Sequence, residues 1–184
     1  MNLYIRVLWV ALIALCPLAG CSPGSGLPEL AAKPDVSYHL GPGDSVLIRV
    51  LGADELNGQY IVQDDGTIRM LLIGSSPAAG LTADQVQASI EEKLRAGRYL
   101  TQPHASVAII TYRPYYILGE VAGPGGYPYV SGMNVLSAVA AAHGYTYRAN
   151  QNFVILTRNG EESKADIMSP IRPDDIIRVP ERYF

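Results

Sequence analysis

Several patterns typical of common functions are scarce or missing in this chain. It has only three histidines among 184 residues, and they are far apart, so no metal-binding pair is evident and no metal site is expected. It has no run of lysine and arginine, and its formal net charge of −3 argues against nucleic acid as a partner. The Gly-x-Ser-x-Gly and phosphate-loop motifs are also missing from the sequence. The sequence therefore predicts neither an enzyme nor a bound cofactor.

Paired carboxylates are the remaining hint of enzymatic chemistry, since glycosidases use two of them. The pairs are Asp64 with Asp65, Glu91 with Glu92, and Asp174 with Asp175. The first and last pairs fall in predicted turns, and the middle pair falls on the polar face of a predicted helix. We expect all three to be solvated surface groups.

Cysteine is almost absent, with only Cys16 and Cys21 in the chain. Cys21 ends the stretch Leu18-Ala19-Gly20-Cys21, which follows a short apolar run at 7–15. That run suits a secretory signal and is too short for a membrane span, which needs about 20 apolar residues. Small residues before a cysteine resemble the lipobox of bacterial lipoproteins, which implies cleavage after residue 20 and lipid on Cys21. An ordinary secretory signal with an incidental cysteine is the alternative. Cys16 would leave with the signal, so no disulfide is expected.

The segment that follows Cys21 is rich in proline and glycine and has no hydrophobic period. It predicts a flexible tether over 21–35, between the lipid and the folded body. No second apolar run is long enough to span a bilayer. We therefore expect the body to be held at the membrane by its lipid alone.

The rest of the chain alternates β-prone segments with only two helical patterns, which predicts an α+β fold. Strands are expected at 45–51, 60–62, 67–71, 104–111, 115–121, 127–130, 153–157 and 175–179. The Asp64-Asp65-Gly66 turn between the second and third segments indicates a β-hairpin.

The two predicted helices have clear start signals. Thr82 and Gln85 form a capping-box pattern before the apolar face of Val86, Ile90 and Leu94, and Gly97 is expected to end this helix. The second helix is expected at 135–143, with Asn134 as its N-cap and Gly144 at its end.

A Pro-x-Asp turn occurs twice, as Pro42-Gly43-Asp44 and as Pro173-Asp174-Asp175. Each turn precedes a β-branched strand that ends in Arg-Val. Such turns are common before strands, so the repeat is either incidental or a sign that the two strands are structurally related.

Short segments in one order along residues 36–184 carry a family resemblance. They include Tyr38-x-Leu40-x-Pro42-Gly43-Asp44, Asp65-Gly66-Thr67-Ile68, Leu72-Ile73-Gly74, Pro103-x-Ala105-x-Val107, Arg113-Pro114-Tyr115-Tyr116-Ile117-Leu118-Gly119-Glu120-Val121, Pro124-Gly125-Gly126-Tyr127-Pro128-Tyr129 and Val179-Pro180-Glu181-Arg182-Tyr183-Phe184. Together they resemble the polysaccharide export family of Wza-like outer-membrane auxiliary proteins. Two positions depart from its pattern, Leu71 replacing a usual proline and His143 a usual glycine.

The resemblance implies a division into four parts. A lipoprotein signal peptide covers 1–20 and the tether covers 21–35. A polysaccharide export domain covers 36–112, and one β-grasp module of the soluble-ligand-binding type (SLBB) covers 113–184. The resemblance also implies that strand 45–51 packs with the second module, so we expect it in the same sheet as 175–179.

The function implied by the resemblance is export of a capsular or extracellular polysaccharide. The protein would be lipid-anchored at the outer membrane of a Gram-negative bacterium and would face the periplasm, and Ser22 after Cys21 favours that sorting. Identical subunits would form a ring or collar. The expected partners are the polysaccharide, an inner-membrane polysaccharide copolymerase or chain-length regulator, and a separate outer-membrane channel, because the pore helix of longer relatives has no counterpart before Phe184. The alternative is a monomeric periplasmic lipoprotein that binds a glycan or small ligand.

Tyrosine is abundant, with twelve residues against two phenylalanines and one tryptophan. A tyrosine ring offers an apolar face and a hydroxyl, which suits sugar rings and subunit interfaces. The candidates for glycan or interface contact are Tyr115, Tyr116, Tyr127, Tyr129, Tyr145, Tyr147 and Arg148. Packing across β-strands is the alternative role for these tyrosines.

Overall fold

The computed structural model describes residues 26–30 and 37–182. Cys21 and the expected signal peptide lie outside these residues. The described residues form ten strands, two α-helices and one 3₁₀ turn around two hydrophobic cores, which confirms the α+β class. Within the described part of the chain, no helix is both long and apolar enough to cross a membrane.

The first core lies beneath a three-stranded antiparallel sheet of order β2-β1-β5. The elements of this unit are β1 (Ser45–Val50), a 3₁₀ turn (Asp54–Leu56), β2 (Gly58–Ile61), β3 (Thr67–Met70), β4 (Gly74–Pro77), helix α1 (Ala83–Ala96) and β5 (Ala105–Thr111). The two-residue alternation along β1 buries Val46, Ile48 and Val50. Helix α1 and the β3–β4 hairpin supply the other side of this core.

Helix α1 begins and packs as the sequence predicts. The Thr82 hydroxyl accepts a hydrogen bond from the Gln85 backbone N–H at 3.3 Å, and the Gln85 side chain accepts one from the Thr82 N–H at 2.9 Å. Val86, Ile90 and Leu94 are all fully buried, because their spacing places them on one face. The helix thus presents a continuous apolar stripe to the sheet.

The second core lies beneath a five-stranded sheet of order β7-β6-β10-β8-β9. Its elements are β6 (Tyr115–Gly119), β7 (Gly125–Tyr127), helix α2 (Val135–Ala141), β8 (Val154–Arg158), β9 (Glu161–Ala165) and β10 (Ile176–Val179). β10 is parallel to β6, and the other pairs are antiparallel. This order, with the helix packed against one face, is the β-grasp arrangement that the family resemblance implies.

The expectation that strand 45–51 joins the second module's sheet is wrong. β1 pairs with β2 on one side and with β5 on the other, so both of its hydrogen-bonding edges are used within the first sheet. Its apolar face is covered by the first core. β10, its counterpart in the repeated pattern, lies in the other sheet between β6 and β8.

The predicted hairpin at Asp64-Asp65-Gly66 forms only at its turn. The Gly66 N–H donates to the Gln63 carbonyl and the Gln63 N–H donates to the Thr67 carbonyl, both at 2.8 Å. No ladder continues from there, because β2 pairs with β1 and β3 pairs with β4. The sequence did not predict β4 or β9, because neither segment shows hydrophobic alternation.

The tether prediction fails for residues 28–30. The Leu30 N–H donates to the Lys164 carbonyl and the Lys164 N–H donates to the Pro28 carbonyl, both at 2.8 Å. Glu29 thereby forms a parallel bridge with Lys164 in β9, and Leu30 packs against the second core. This short segment is therefore docked on the SLBB-type module.

Helix α2 is capped at Asn134, as the sequence predicts, and its end uses two left-handed residues. The Asn134 side chain accepts a hydrogen bond from the Ser137 N–H at 2.9 Å. His143 has a φ of 65° and Gly144 a φ of 90°. The sequence predicts Gly144 as the residue that ends the helix. In the structure the left-handed conformation begins one residue earlier, at His143.

Candidate functional site

Both Pro-x-Asp turns fold with the same hydrogen bonds. In the first turn, the Gly41 N–H donates to Asp44 Oδ2 at 2.8 Å and the Asp44 N–H donates to the Gly41 carbonyl at 3.1 Å. In the second turn, the Arg172 N–H donates to Asp175 Oδ2 at 2.6 Å and the Asp175 N–H donates to the Arg172 carbonyl at 3.2 Å. The residue before each aspartate is left-handed, with φ of 92° and 72°. The repeated sequence pattern therefore marks a repeated turn.

Each turn buries its carboxylate beside an arginine. Asp44 and Asp175 are 0% and 1% exposed. Arg158 binds Asp175 in a bidentate manner, with Nε at 2.9 Å from Oδ1 and Nη2 at 2.7 Å from Oδ2. Asp44 Oδ1 accepts the Arg113 backbone N–H at 2.9 Å and lies 3.6 Å from Arg113 Nε. Because an unpaired buried carboxylate costs several kcal/mol, these partners hold both turns in place.

The prediction that all paired carboxylates are solvated is wrong at two positions. Asp175 is buried, as described above, because it closes its turn from the inside. Glu91 is partly buried, and its Oε1 accepts the Ala105 N–H at 2.9 Å, which ties α1 to the start of β5. The other four carboxylates are exposed, as predicted: Asp64, Asp65, Glu92 and Asp174.

Arg113 joins the two modules through its side chain. Its Nη1 lies 3.5 Å from Asp174 Oδ2 in the second turn, while its Nε faces Asp44 in the first. A Cβ atom at Gly41 would lie 2.6 Å from Arg113 Cζ, so the glycine lets the guanidinium approach the backbone. The Asp174 N–H also donates to the Pro114 carbonyl at 2.9 Å. Arg113 thus links the two turns, through a hydrogen bond to Asp44 and an ion pair with Asp174.

Tyr38 completes the first turn. Its hydroxyl donates to Asp44 Oδ2 at 2.6 Å and accepts a hydrogen bond from Arg113 Nη2 at 3.3 Å. Burial raises the pKa of Tyr38 well above its usual range, and the hydrogen bond to Asp44 raises it further. The phenol therefore remains a protonated donor to the carboxylate.

A cleft of about 400 Å³ opens between the two turns. Its walls include Arg113, Arg158 and Arg172 together with Asp174 and Asp175. The volume lies within the range of small-molecule sites, and the opposite charges largely offset one another. The cleft is consequently polar without a strong charge of either sign.

A second cleft of about 310 Å³ adjoins the first, since Tyr38 and Arg172 line both. Its wall carries an aromatic row of Tyr38, Tyr112 and Tyr129, in which each ring meets the next edge to face. The ring centroids are 4.9 Å apart at 80° for the first pair and 5.4 Å apart at 78° for the second. All three rings are partly exposed. They come from the segment before β1, the inter-module linker and the segment after β7, so the folded junction creates this row.

The predicted tyrosine candidates divide into buried and exposed groups. Tyr115 lies in the second core and stacks on Tyr127, with centroids 6.0 Å apart at 24°. Tyr145 is partly buried against the same core. Burial raises the pKa of both Tyr115 and Tyr145. The Tyr127 hydroxyl donates to the Gly123 carbonyl at 2.6 Å. The alternative role of packing across strands describes these three residues.

The remaining candidates lie on the surface. Tyr147 is 83% exposed, and Arg148 beside it pairs with Glu181. Tyr116 lies on the outer face of the β-grasp sheet opposite Gly126 and Ile176. The structure therefore brings only Tyr129, of the predicted set, into the junction clefts.

Sequence reasoning missed the charged residues that build the junction, and the candidate contacts included neither Tyr38 nor Tyr112 of the aromatic row. The repeated Pro-x-Asp pattern was the available signal for Asp44 and Asp175. Nothing local in the sequence indicates Arg113 and Arg158, because each meets its aspartate only through long-range contacts. Tyr38 and Tyr112 flank the first module in sequence, and only its folding brings them together.

Comparison with known families places the two cores in context. The family model described as polysaccharide biosynthesis/export protein matches residues 32–110, and the SLBB domain model matches residues 114–165. The first folded unit thus carries a polysaccharide export domain and the second an SLBB domain. The interval between the two matches contains Tyr112 and Arg113, so the junction clefts lie where the two domains meet.

The chain is similar to curated proteins of two kinds. The chain is 31% identical over 170 residues to the exopolysaccharide production protein ExoF of Rhizobium meliloti (strain 1021), covering 78% of this chain and 40% of that protein. It is 26% identical over 150 residues to the polysialic acid transport protein KpsD of Escherichia coli, covering 80% of this chain and 26% of that protein. The chain thus spans less than half the length of these curated relatives.

Proposed function

We propose that this protein is a lipid-anchored component of a machine that exports capsular or extracellular polysaccharide across the outer membrane. The carrying observation is that the export and SLBB family models match in order over the two folded units. The names of the relatives, which refer to exopolysaccharide production and polysialic acid transport, support the same process. The two modules would meet at 112/113.

The proposed anchor is an acylated Cys21, with the folded body facing the periplasm. Its support is the lipobox pattern in the sequence. Cys21→Ser should abolish acylation, so the protein should leave the detergent phase in a phase-partition experiment and lose the mass of the acyl chains. Unchanged partitioning together with an unchanged mature mass would contradict the anchor.

The proposed assembly is a ring or collar of identical subunits. It would act with an inner-membrane polysaccharide copolymerase or chain-length regulator and with a separate outer-membrane channel. An apolar patch supports self-association, because Tyr116, Leu118 and Ile176 are all exposed on the outer face of neighbouring strands β6 and β10. Patches of this kind commonly mark protein interfaces. A ring requires contacts between two different surfaces of the same chain.

The proposed glycan contact lies at the aromatic row of Tyr38, Tyr112 and Tyr129. Partly exposed tyrosine rings present apolar faces that suit the C–H faces of sugar rings, and their hydroxyls suit sugar hydroxyls. The adjoining polar cleft, with Arg158 and Asn159 on its wall, offers further hydrogen-bond groups to an extended chain. The same cleft favours the second candidate function, a monomeric glycan-binding lipoprotein.

The test of export is genetic. Deletion of the gene should abolish or sharply reduce the extracellular polysaccharide, and the wild-type gene should restore it. Tyr112→Ala should restore it poorly, whereas Tyr147→Ala, which changes an exposed ring outside the clefts, should restore it fully. Normal polysaccharide secretion in the deletion strain would contradict the proposed function.

Solution mass separates the two candidate functions. The lipidated protein in detergent should have the mass of a multimer by light scattering. A strict monomer that binds an oligosaccharide saturably would instead support the binding lipoprotein.

A further inference from the structure

The docked segment 28–30 fixes where the N-terminal part of the chain meets the folded body. Its two 2.8 Å hydrogen bonds to Lys164 and the partly buried Leu30 attach it along β9. Lys164 is itself restrained, because its Nζ lies 4.7 Å from the centre of the Phe153 ring. The attachment point is thus one side of the SLBB module.

The length of chain before this point limits how far β9 can lie from the anchor. Pro28 lies seven positions after Cys21 in the sequence. A fully extended chain spans at most about 3.5 Å per residue, so Pro28 lies within roughly 25 Å of the acylated residue. Tyr38, whose hydroxyl donates to Asp44 in the first turn, lies seventeen positions after Cys21, and attachment there alone would by the same estimate allow roughly 60 Å.

The first module is attached elsewhere on the sheet. Its junction contacts run from Asp44 to Arg113, whose backbone N–H donates to Asp44 Oδ1 at 2.9 Å, and from Arg113 to Asp174 at 3.5 Å. These contacts lie at the beginning of β6 and β10, and β8 separates β10 from β9. The chain therefore holds its anchor and its export domain at different places on one sheet.

We propose that the β9 side of the SLBB module faces the phospholipid surface and that the export domain projects away from it. The inference rests on the proposed lipid anchor at Cys21. Docking of 28–30 converts a long tether into a short one, so the anchor sets the orientation of the body as well as its location. The surface in contact is a lipid bilayer, since the acyl chains hold Cys21 there.

The experiment measures the distance of two labelled sites from the bilayer in the full lipidated protein. With Cys21 blocked by lipid, an introduced cysteine is the single free thiol expected in the mature chain. Glu161→Cys places a fluorophore on β9, and Asp84→Cys places one on α1; both positions are exposed. The protein is bound to vesicles of phosphatidylethanolamine and phosphatidylglycerol that carry nitroxide-labelled headgroups.

Quenching at position 161 should exceed quenching at position 84 at least threefold. Equal quenching, or stronger quenching at position 84, in vesicle-bound protein would overturn the orientation and leave the anchor intact. Failure of the lipidated protein to sediment with vesicles would overturn the anchor, and the orientation with it.

A pair of proline variants tests whether the docking sets the orientation. Leu30→Pro removes the N–H that donates to Lys164, so the difference between the two labelled sites should disappear. Glu29→Pro is the matched control, because neither hydrogen bond of the bridge uses the Glu29 N–H. It should keep the threefold difference. A Leu30→Pro protein that retains the difference would overturn the role of the docked segment.

Discussion

Asp44 and Asp175 each satisfy a buried carboxylate with three donors. Asp44 accepts from the Gly41 N–H, the Tyr38 hydroxyl and the Arg113 N–H. Asp175 accepts from the Arg172 N–H and from two nitrogens of Arg158. In each case one donor comes from the turn itself and at least one comes from a residue distant in sequence. Each carboxylate therefore stabilises both its turn and a long-range contact.

Asp175→Asn should destabilise the SLBB module by about 3 kcal/mol, because it leaves the largely buried Arg158 without its charged partner. The measurement is urea unfolding followed by far-ultraviolet circular dichroism. Asp64→Asn, at an exposed turn position, is the control and should change the unfolding free energy by less than about 0.5 kcal/mol. Equal urea midpoints for the two variants would show that the buried pair does not stabilise the module.

Alkaline pH should destabilise the protein partly through Tyr38. The pKa of Tyr38 is raised in the folded state from an ordinary value of 10.0, so its contribution is fully present below about pH 10 and is lost as pH rises above that value. Tyr38→Phe should lower stability at neutral pH by about 1.5 kcal/mol through loss of the hydrogen bond to Asp44. The same substitution should also make the unfolding free energy fall less steeply between pH 10 and pH 11. Urea midpoints across this pH interval provide the measurement, and identical slopes would contradict the prediction.

At the scale of elements, helix α2 is followed by His143 in a left-handed backbone conformation, which is unfavourable for histidine. A non-glycine residue with a left-handed backbone is strained by about 1 kcal/mol, and His143 is exposed with a φ of 65°. His143→Gly should therefore stabilise the module by about 0.5–1 kcal/mol in thermal or urea unfolding.

Ala140→Gly is the matched change inside the same helix. At this exposed helical position glycine should destabilise by about 0.5–1 kcal/mol, because it adds backbone freedom to the unfolded chain. A loss of stability at both positions would mean that the end of α2 is not strained.

Local signals predicted the elements that depend on local interactions. The capping box at Thr82, the N-cap at Asn134 and the spacing of Val86, Ile90 and Leu94 could be predicted because they involve neighbours within one or two turns. The partners of the strands could not be predicted, because the apolar alternation of β1 is compatible with pairing in either sheet. The aromatic row combines Tyr38 and Tyr112, which are distant in sequence, so its existence depends on the tertiary fold.

At the scale of the whole molecule, Arg113 is the side chain that bridges both turns. Arg113→Gln should loosen the junction while leaving both cores folded, because the residue contributes to neither apolar cluster. Hydrogen exchange at 41–44 and 172–175 should become roughly tenfold faster, which corresponds to about 1.4 kcal/mol.

Exchange within α1 should remain unchanged in the same Arg113→Gln protein. Arg148→Gln is the control, since it removes an exposed ion pair with Glu181 away from the junction. Unaltered exchange in the two turns of the Arg113 variant would show that backbone contacts alone hold the modules together.

The pairing of 28–30 with β9 also limits how copies of this chain can associate. The outer strand at the opposite border, β7, is only three residues long and lies between Pro124 and Pro128, which cannot donate backbone hydrogen bonds. In the described residues, one border of the five-stranded sheet is bridged at Lys164 by residues 28–30, and the other is too short and proline-flanked to favour strand addition. A multimer should therefore form through side-chain surfaces such as the Tyr116 face, and should respond to point substitutions there rather than grow by β-augmentation into fibres.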